Sequence, residues 1–236
     1  MTLRAAVVRF PGSNCDQDVL HAARRAGADA YFVWHRDTDL HQADVVLLPG
    51  GFSYGDYLRS GAIARFSPIM QEVKRHADRG GAVLGICNGF QILCEAGLLP
   101  GALQRNGRLS FVSRPVTMRI ERPETAFTGD YRPGQLVTMP VAHGDGRFTA
   151  DDETLRRIEG EGSVVARYVG ADGAPARGDE NPNDSLDDIA ALCDPTGRIV
   201  GLMPHPDRAA DPALGNTDGL GFFTSMMAAA ASGAAR

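Results

Sequence analysis

Over its first hundred residues the chain alternates short, unbroken apolar runs with stretches whose apolar positions recur at helical spacing. Ala5–Phe10, Ala30–Trp34, Val45–Leu48 and Ala82–Ile86 read as strands. Between them, residues 16–26 carry Val19, Leu20, Ala23 and Ala26 on one side, and residues 63–76 and 88–98 read as further helices. A strand that is apolar on both faces must be covered from both sides, and strands separated by helices join in parallel through crossovers. The predicted fold class is therefore α/β, with a doubly wound, mostly parallel sheet.

The texture changes after residue 107. Residues 109–120, 135–141 and 163–168 read as strands joined by turns, an antiparallel elaboration in the second half of the same domain. Residues 170–188 are polar and rich in Gly and Pro, which predicts a loop. Strands return at 189–193 and 199–203 around a Pro195-Thr196-Gly197 turn, and a last helix is expected from about Leu220. With no internal repeat and no long linker, a single domain over residues 1–236 is expected.

Composition narrows the function. A formal net charge of −5 argues against a partner bound through its phosphate backbone, so no nucleic acid is expected. No segment approaches the roughly 18 apolar residues that span a bilayer, and the apolar run at the N-terminus is too short for a secretory signal. A cytoplasmic, membrane-free protein is expected. The four cysteines, Cys15, Cys87, Cys94 and Cys193, lack zinc-knuckle spacing, so no metal site is expected.

Cys87 is set apart by its neighbours. Gly85-Ile86-Cys87-Asn88-Gly89 places a nucleophile-type side chain between glycines at the junction of a buried strand and a helix, the pattern of a nucleophile elbow. Such a turn raises the side chain above the sheet edge, where the positive end of a helix favours a thiolate. The backbone N–H of Asn88 would face an oxyanion forming on an attacked carbonyl, a contribution worth roughly 3–4 kcal/mol of barrier. A second donor is expected from Gly50-Gly51, which follows another strand of the parallel set. Cys15, Cys94 and Cys193 fit the ordinary role of buried, inert thiols.

A cysteine nucleophile needs a base. His205, in Gly201-Leu-Met-Pro-His-Pro-Asp-Arg208, ends an apolar strand and is fixed between two prolines. Asp207, two residues on, would point the same way in an extended chain and could orient the imidazole. His143, in glycine-rich surroundings that suggest no rigid strand end, is the rival base. His21, His35, His41 and His76 read as exposed or packing residues.

Gly85-Ile-Cys-Asn-Gly-Phe-Gln91 and Pro204-His-Pro-Asp207 resemble the two signatures of the class I (triad) glutamine amidotransferases. Phe10–Asp16, Leu48–Tyr57, Val141–Phe148 and Asn181–Ser185 narrow the resemblance to the glutaminase subunits of phosphoribosylformylglycinamidine synthase. The resemblance implies a flavodoxin-like sheet and a type-1 amidotransferase domain. It further implies that Cys87, His205 and Asp207 release ammonia from glutamine, with Gly51 and Asn88 as the oxyanion donors and Gln91 against the bound glutamine. The implied partners are a large PurL-like synthase subunit, which would use ATP and Mg, and a small PurS-like assembly subunit. No cofactor is expected in this chain.

The sequence departs from the family pattern twice. The triad acid is usually Glu and here is Asp207, one methylene shorter. Asp184 stands where the pattern has Gly, although aspartate tolerates the left-handed backbone such a loop requires. Two other readings compete on the residues alone: a free-standing α/β cysteine hydrolase or peptidase, and a non-catalytic binding module on the same fold.

Overall fold

The alternating pattern becomes a nine-stranded sheet in the computed structural model, which describes residues 2–231. The first half supplies β1 (Arg4–Arg9), α1 (Asp16–Arg25), β2 (Asp29–Trp34), β3 (Val45–Leu48), α2 (Pro68–Asp78), β4 (Ala82–Ile86) and α3 (Asn88–Glu95). The second half adds β5 (Ala102–Gln104), β6 (Val112–Ile120), β7 (Leu136–His143), β8 (Arg147–Thr149), α4 (Asp152–Gly160), β9 (Val164–Val169), β10 (Ile189–Cys193), β11 (Ile199–Leu202) and α5 (Leu220–Ala231).

The strand order is β2-β1-β3-β4-β11-β10-β9-β6-β7. The first five strands run parallel, and every pairing from β11 onward is antiparallel. Helices cover both faces, as the unbroken apolar runs require: all four residues of β3 and all five of β4 are buried. The doubly wound reading and its antiparallel extension both hold.

The boundaries differ where local chemistry intervened. The helix expected over 63–76 begins at Pro68, because a proline pushes the residue before it into extended backbone and is itself suited to the first helical position. Ser67 is accordingly extended, at φ −61° and ψ 141°. β6 begins at Val112 rather than 109, since Leu109 has φ 53° in a turn closed by its own N–H on the Asn106 carbonyl. α3 stops at Glu95, just before Gly97 at φ 69°. Residues 170–188 are irregular apart from single 3-10 turns at Gly178–Glu180 and Leu186–Asp188.

Three elements were not expected. β5 and β8 pair in a small separate sheet, and at three residues each they carry no periodicity to read. α4 did carry a signal: the Asp151 carboxylate accepts the Thr154 N–H at 2.7 Å, an ordinary N-cap.

The register has one consequence for function. Leu48 pairs with Gly85, Gly85 with Gly201, and Ile86 with Leu202. The residues that leave β3, β4 and β11, namely Gly50-Gly51, Cys87 and His205, therefore emerge side by side at one sheet edge, where ligands bind in open α/β sheets.

Candidate active site

Cys87 sits in a backbone conformation that a non-glycine residue rarely adopts, φ 51° and ψ −104°. Two features hold it there. Its N–H donates to the Leu202 carbonyl at 2.7 Å, and α3 starts at the next residue. The flanking glycines let α3 lie directly on the sheet. A Cβ on Gly85 would stand 2.6 Å from Leu93 Cδ1, and one on Gly89 would run into the Leu48 carbonyl, 2.8 Å from its carbon. Because Asn88 opens the helix, its N–H has no carbonyl one turn back.

His205 follows β11, and its backbone N–H donates to the Pro140 carbonyl at 2.8 Å, which ties the strand exit to β7. Asp207 reaches the ring by a route the sequence did not suggest. The chain is not extended there: Pro206–Arg208 form a single 3-10 turn. The turn brings Asp207 Oδ1 within 3.3 Å of His205 Nδ1, with both side chains almost fully buried. The shorter acid thus makes the contact because the backbone curls toward the ring. Burial acts to lower the His205 pKa, but the Asp207 carboxylate and then the charge of Cys87 raise it to about 10.

Gly50 and Gly51 fill the space between these groups. A Cβ on Gly50 would lie 2.7 Å from His205 Cε1 and 3.4 Å from Cys87 Cβ. Gly51, at φ 150°, packs so closely on the turn after β1 that a Cβ would stand 2.6 Å from the Gly12 carbonyl oxygen. The Cys15 N–H to the Gly50 carbonyl (3.2 Å) and the Phe52 N–H to the Gly12 carbonyl (2.9 Å) fasten the two loops together.

Two adjoining cavities open at Cys87 and share Gly51, Phe52, Phe111 and Ala142 in their walls. One, of about 190 Å³, contains His205, Cys15 and Arg208. The other, of about 200 Å³, runs past Gln91 to Asp56, Ser60 and Asp145. Its wall is braced by a chain of side chains: Asn88 Nδ2 donates to Gln91 Oε1 at 2.9 Å, and Gln91 Nε2 to the Asp145 carbonyl at 2.6 Å. Asn88 Oδ1 accepts the Ser53 N–H at 3.2 Å. All seven residues expected from sequence, Cys87, His205, Asp207, Gly50, Gly51, Asn88 and Gln91, therefore gather at this edge.

His143 does end a strand, β7, contrary to the expectation drawn from its glycine neighbours. Its ring lies 3.1 Å from Asn106 Oδ1 through Nδ1 and 3.4 Å from Asn183 Nδ2 through Nε2, so both nitrogens are occupied. Burial, followed by the nearby charge of His205, lowers its pKa to about 4. It braces the wall as a neutral ring. The unfolded chain takes up this proton below about pH 6.5 and the folded chain only near pH 4, so the stability present above that window is lost as pH falls through it. Urea midpoints are expected to drop between about pH 7 and about pH 5 by more in the wild type than in His143→Gln.

Asp56, Ser60, Asp145 and Cys15 were not singled out as cavity residues. Asp56 and Asp145 lie inside segments noted for their resemblance, but nothing in their spacing placed them near Cys87. Cys15 is buried, accepts a hydrogen bond from Arg208 Nη2 at 2.9 Å, and is pushed up to about 12, chiefly by burial. It is a protonated thiol beside the site. Asp184 adopts the left-handed conformation expected of it, at φ 59°.

Comparison with known proteins agrees with this geometry. A family model described as the CobB/CobQ-like glutamine amidotransferase domain matches residues 2–218. A Synechococcus protein named phosphoribosylformylglycinamidine synthase subunit PurQ is 55% identical over 226 residues, covering 95% of this chain and 96% of its own. A Thermus thermophilus protein of the same name is 55% identical over 227 residues, covering 95% and 98%. A chain in the structure of PurLQS from Thermotoga maritima superposes with a TM-score of 0.84 at 40% identity, covering 97% of this chain and 99% of its own. The strained cysteine, the buried His–Asp pair and these whole-length matches place the chain in the glutamine amidotransferase family, among its PurQ members.

Proposed function

We propose that this chain is the glutamine-hydrolysing subunit of a phosphoribosylformylglycinamidine synthase in purine biosynthesis, and that Cys87, His205 and Asp207 carry out the hydrolysis. The observation that carries the reading is the meeting of a strained, strand-end cysteine with a buried, acid-paired histidine in a chain so similar to PurQ proteins.

With Nδ1 facing Asp207 Oδ1 at 3.3 Å, Nε2 is the nitrogen assigned to exchange protons with Cys87 and the substrate. Cys87 Sγ, as thiolate, attacks the carbon of the glutamine side-chain amide. The negative charge gathers on the amide oxygen, facing the N–H groups of Gly51 and Asn88. The protonated His205 gives its proton to the departing nitrogen, so ammonia leaves and a γ-glutamyl thioester remains on Cys87. The neutral ring then takes a proton from water as the water oxygen attacks the thioester. Collapse frees glutamate and returns the thiolate and imidazolium. Asp207 holds the ring's orientation and stabilises its charge.

Ammonia would pass to a large PurL-like subunit that uses ATP and Mg, with a small PurS-like subunit aiding assembly. In support, large apolar side chains stand exposed on the segments that line the cavity: Tyr57 and Leu58 between Asp56 and Ser60, and Leu109 beside Phe111. A cytoplasmic location accords with this role. No helix of the described residues is long and apolar enough to cross a membrane.

Glutamate release from glutamine, measured with and without the synthase subunits and ATP, tests the proposal. Release that rises in the complex is expected, and none under either condition would overturn it. Asp207→Asn is expected to lower the glutamine-driven kcat by about 10²-fold less than Cys87→Ala does, since an orienting acid contributes less than the nucleophile. Equal losses in steady-state assays would contradict the role given to Asp207.

A further inference from the structure

We infer that Cys15, His205 and Asp207 form a binding site for a divalent cation of the zinc class, and that the bound ion shuts off the use of glutamine. The shut-off, though not the binding, rests on the reading of His205 and Asp207 as parts of the hydrolytic machinery. Cys15 Sγ, a ring nitrogen of His205 and a carboxylate oxygen of Asp207 all lie within 4.8 Å of one another, and all three residues are buried. Donor atoms around a tetrahedral zinc ion stand roughly 3.3–3.6 Å apart, given bonds of about 2.0–2.3 Å. His205 Nδ1 and Asp207 Oδ1 already have that spacing, at 3.3 Å, so the cysteine is the donor that closes in.

These atoms are poorly served from within the protein. Among the described residues, neither ring nitrogen of His205 nor either carboxylate oxygen of Asp207 has an aligned hydrogen-bond partner. Unpaired polar atoms at this depth cost free energy that coordination offsets. A thiolate, a carboxylate and a neutral imidazole carry two negative charges, which match a divalent ion. Sulfur beside nitrogen favours zinc over magnesium or calcium. The Cys15 thiol donates to Asn14 Oδ1 at 3.3 Å, and its proton leaves to solvent as the sulfur–metal bond forms. Arg208 Nη2, 2.9 Å from the sulfur, then donates to a thiolate, and Asp18 Oδ2, 3.4 Å from Arg208 Nε, offsets the guanidinium charge.

The donors sit on fixed strand ends. Cys15 follows β1 and stands at the N-cap of α1, with its N–H on the Gly50 carbonyl at 3.2 Å, and His205 and Asp207 follow β11. A Cβ on Gly50 would stand 3.1 Å from Cys15 Sγ and 2.7 Å from His205 Cε1, so the bare glycine leaves the two facing each other. The 190 Å³ cavity that Cys15, His205 and Cys87 line gives entry and room for a water as fourth ligand. Because the donors come from remote segments, spacing along the chain does not announce them. An ion on these atoms takes the imidazole and its acid out of proton exchange with Cys87.

Cobalt(II), a coloured stand-in for zinc, reads the site directly. The full-length protein is expected to show a thiolate-to-cobalt absorption band that added zinc abolishes. The band is expected in the wild type and in Cys87→Ala, and absent from Cys15→Ala and Cys15→Ser; the serine variant keeps the test if the alanine variant does not fold. In the assembled synthase, zinc is expected to inhibit glutamine-driven amination at concentrations that spare ammonia-driven amination. Cys15→Ala, normalised to its own zinc-free rate, is expected to raise the half-inhibiting zinc concentration by at least about 100-fold, since a lost ligand costs no less than a lost outer-shell partner. No band, a band lost in Cys87→Ala but kept in Cys15→Ala, or equal zinc sensitivity of wild type and Cys15→Ala would overturn the inference. The expected band in a complex that never uses glutamine would leave the cation site standing and sink the hydrolytic reading.

Discussion

Cys87→Ala is expected to lower glutamine-driven amination by about 10⁴- to 10⁶-fold while ammonia-driven amination by the same complex continues. The size follows from how the groups act. On the proposed mechanism no thioester forms without the sulfur, and His205, Asp207 and the N–H groups of Gly51 and Asn88 then have nothing to assist. The substitution itself is mild for the fold. The side chain is small and lies at the junction of two cavities, with Sγ 3.8 Å from the Ala142 carbonyl. Parallel assays with glutamine and with ammonium salts read the two activities. Glutamine-driven turnover within tenfold of wild type would remove Cys87 from the mechanism.

Gly89→Ala is expected to destabilise the protein by at least about 3 kcal/mol and to abolish glutaminase activity with it. The new methyl has no room to move into, because it meets backbone: the Leu48 carbonyl and Cβ stand against that position. α3 would have to lift from β3, and β3 leads into Gly50-Gly51. At this chain length the loss corresponds to a fall in Tm of roughly 6–12 °C. Thermal and urea unfolding of the variant measure it. A change below about 1 kcal/mol would show that α3 does not press on β3 as described.

The legible parts of the fold were those where one physical demand governs a whole segment. β3 and β4 announce themselves because a doubly covered strand must be apolar at every position. The elbow could be read because both of its glycines answer to the same close approach of α3. His205 could be placed once β11 was taken as parallel to β4, a pairing the structure bears out. What escaped depends on meetings between remote segments. Asp56 and Asp145 converge through Ser60, and His143 is fixed by Asn106 and Asn183, partners some 40 positions distant in each direction. Asp207 does approach His205, but through a single 3-10 turn after a proline rather than the extended chain expected, and periodicity says nothing about such a turn.

The most direct test is to treat the protein with a glutamine-analogue electrophile and map the adduct by peptide mass spectrometry. A single modification on Cys87, blocked by excess glutamine, is the result expected if Cys87 is the nucleophile of the site. Label on Cys15, Cys94 or Cys193 in preference, or none at a concentration that modifies free cysteine, would contradict it.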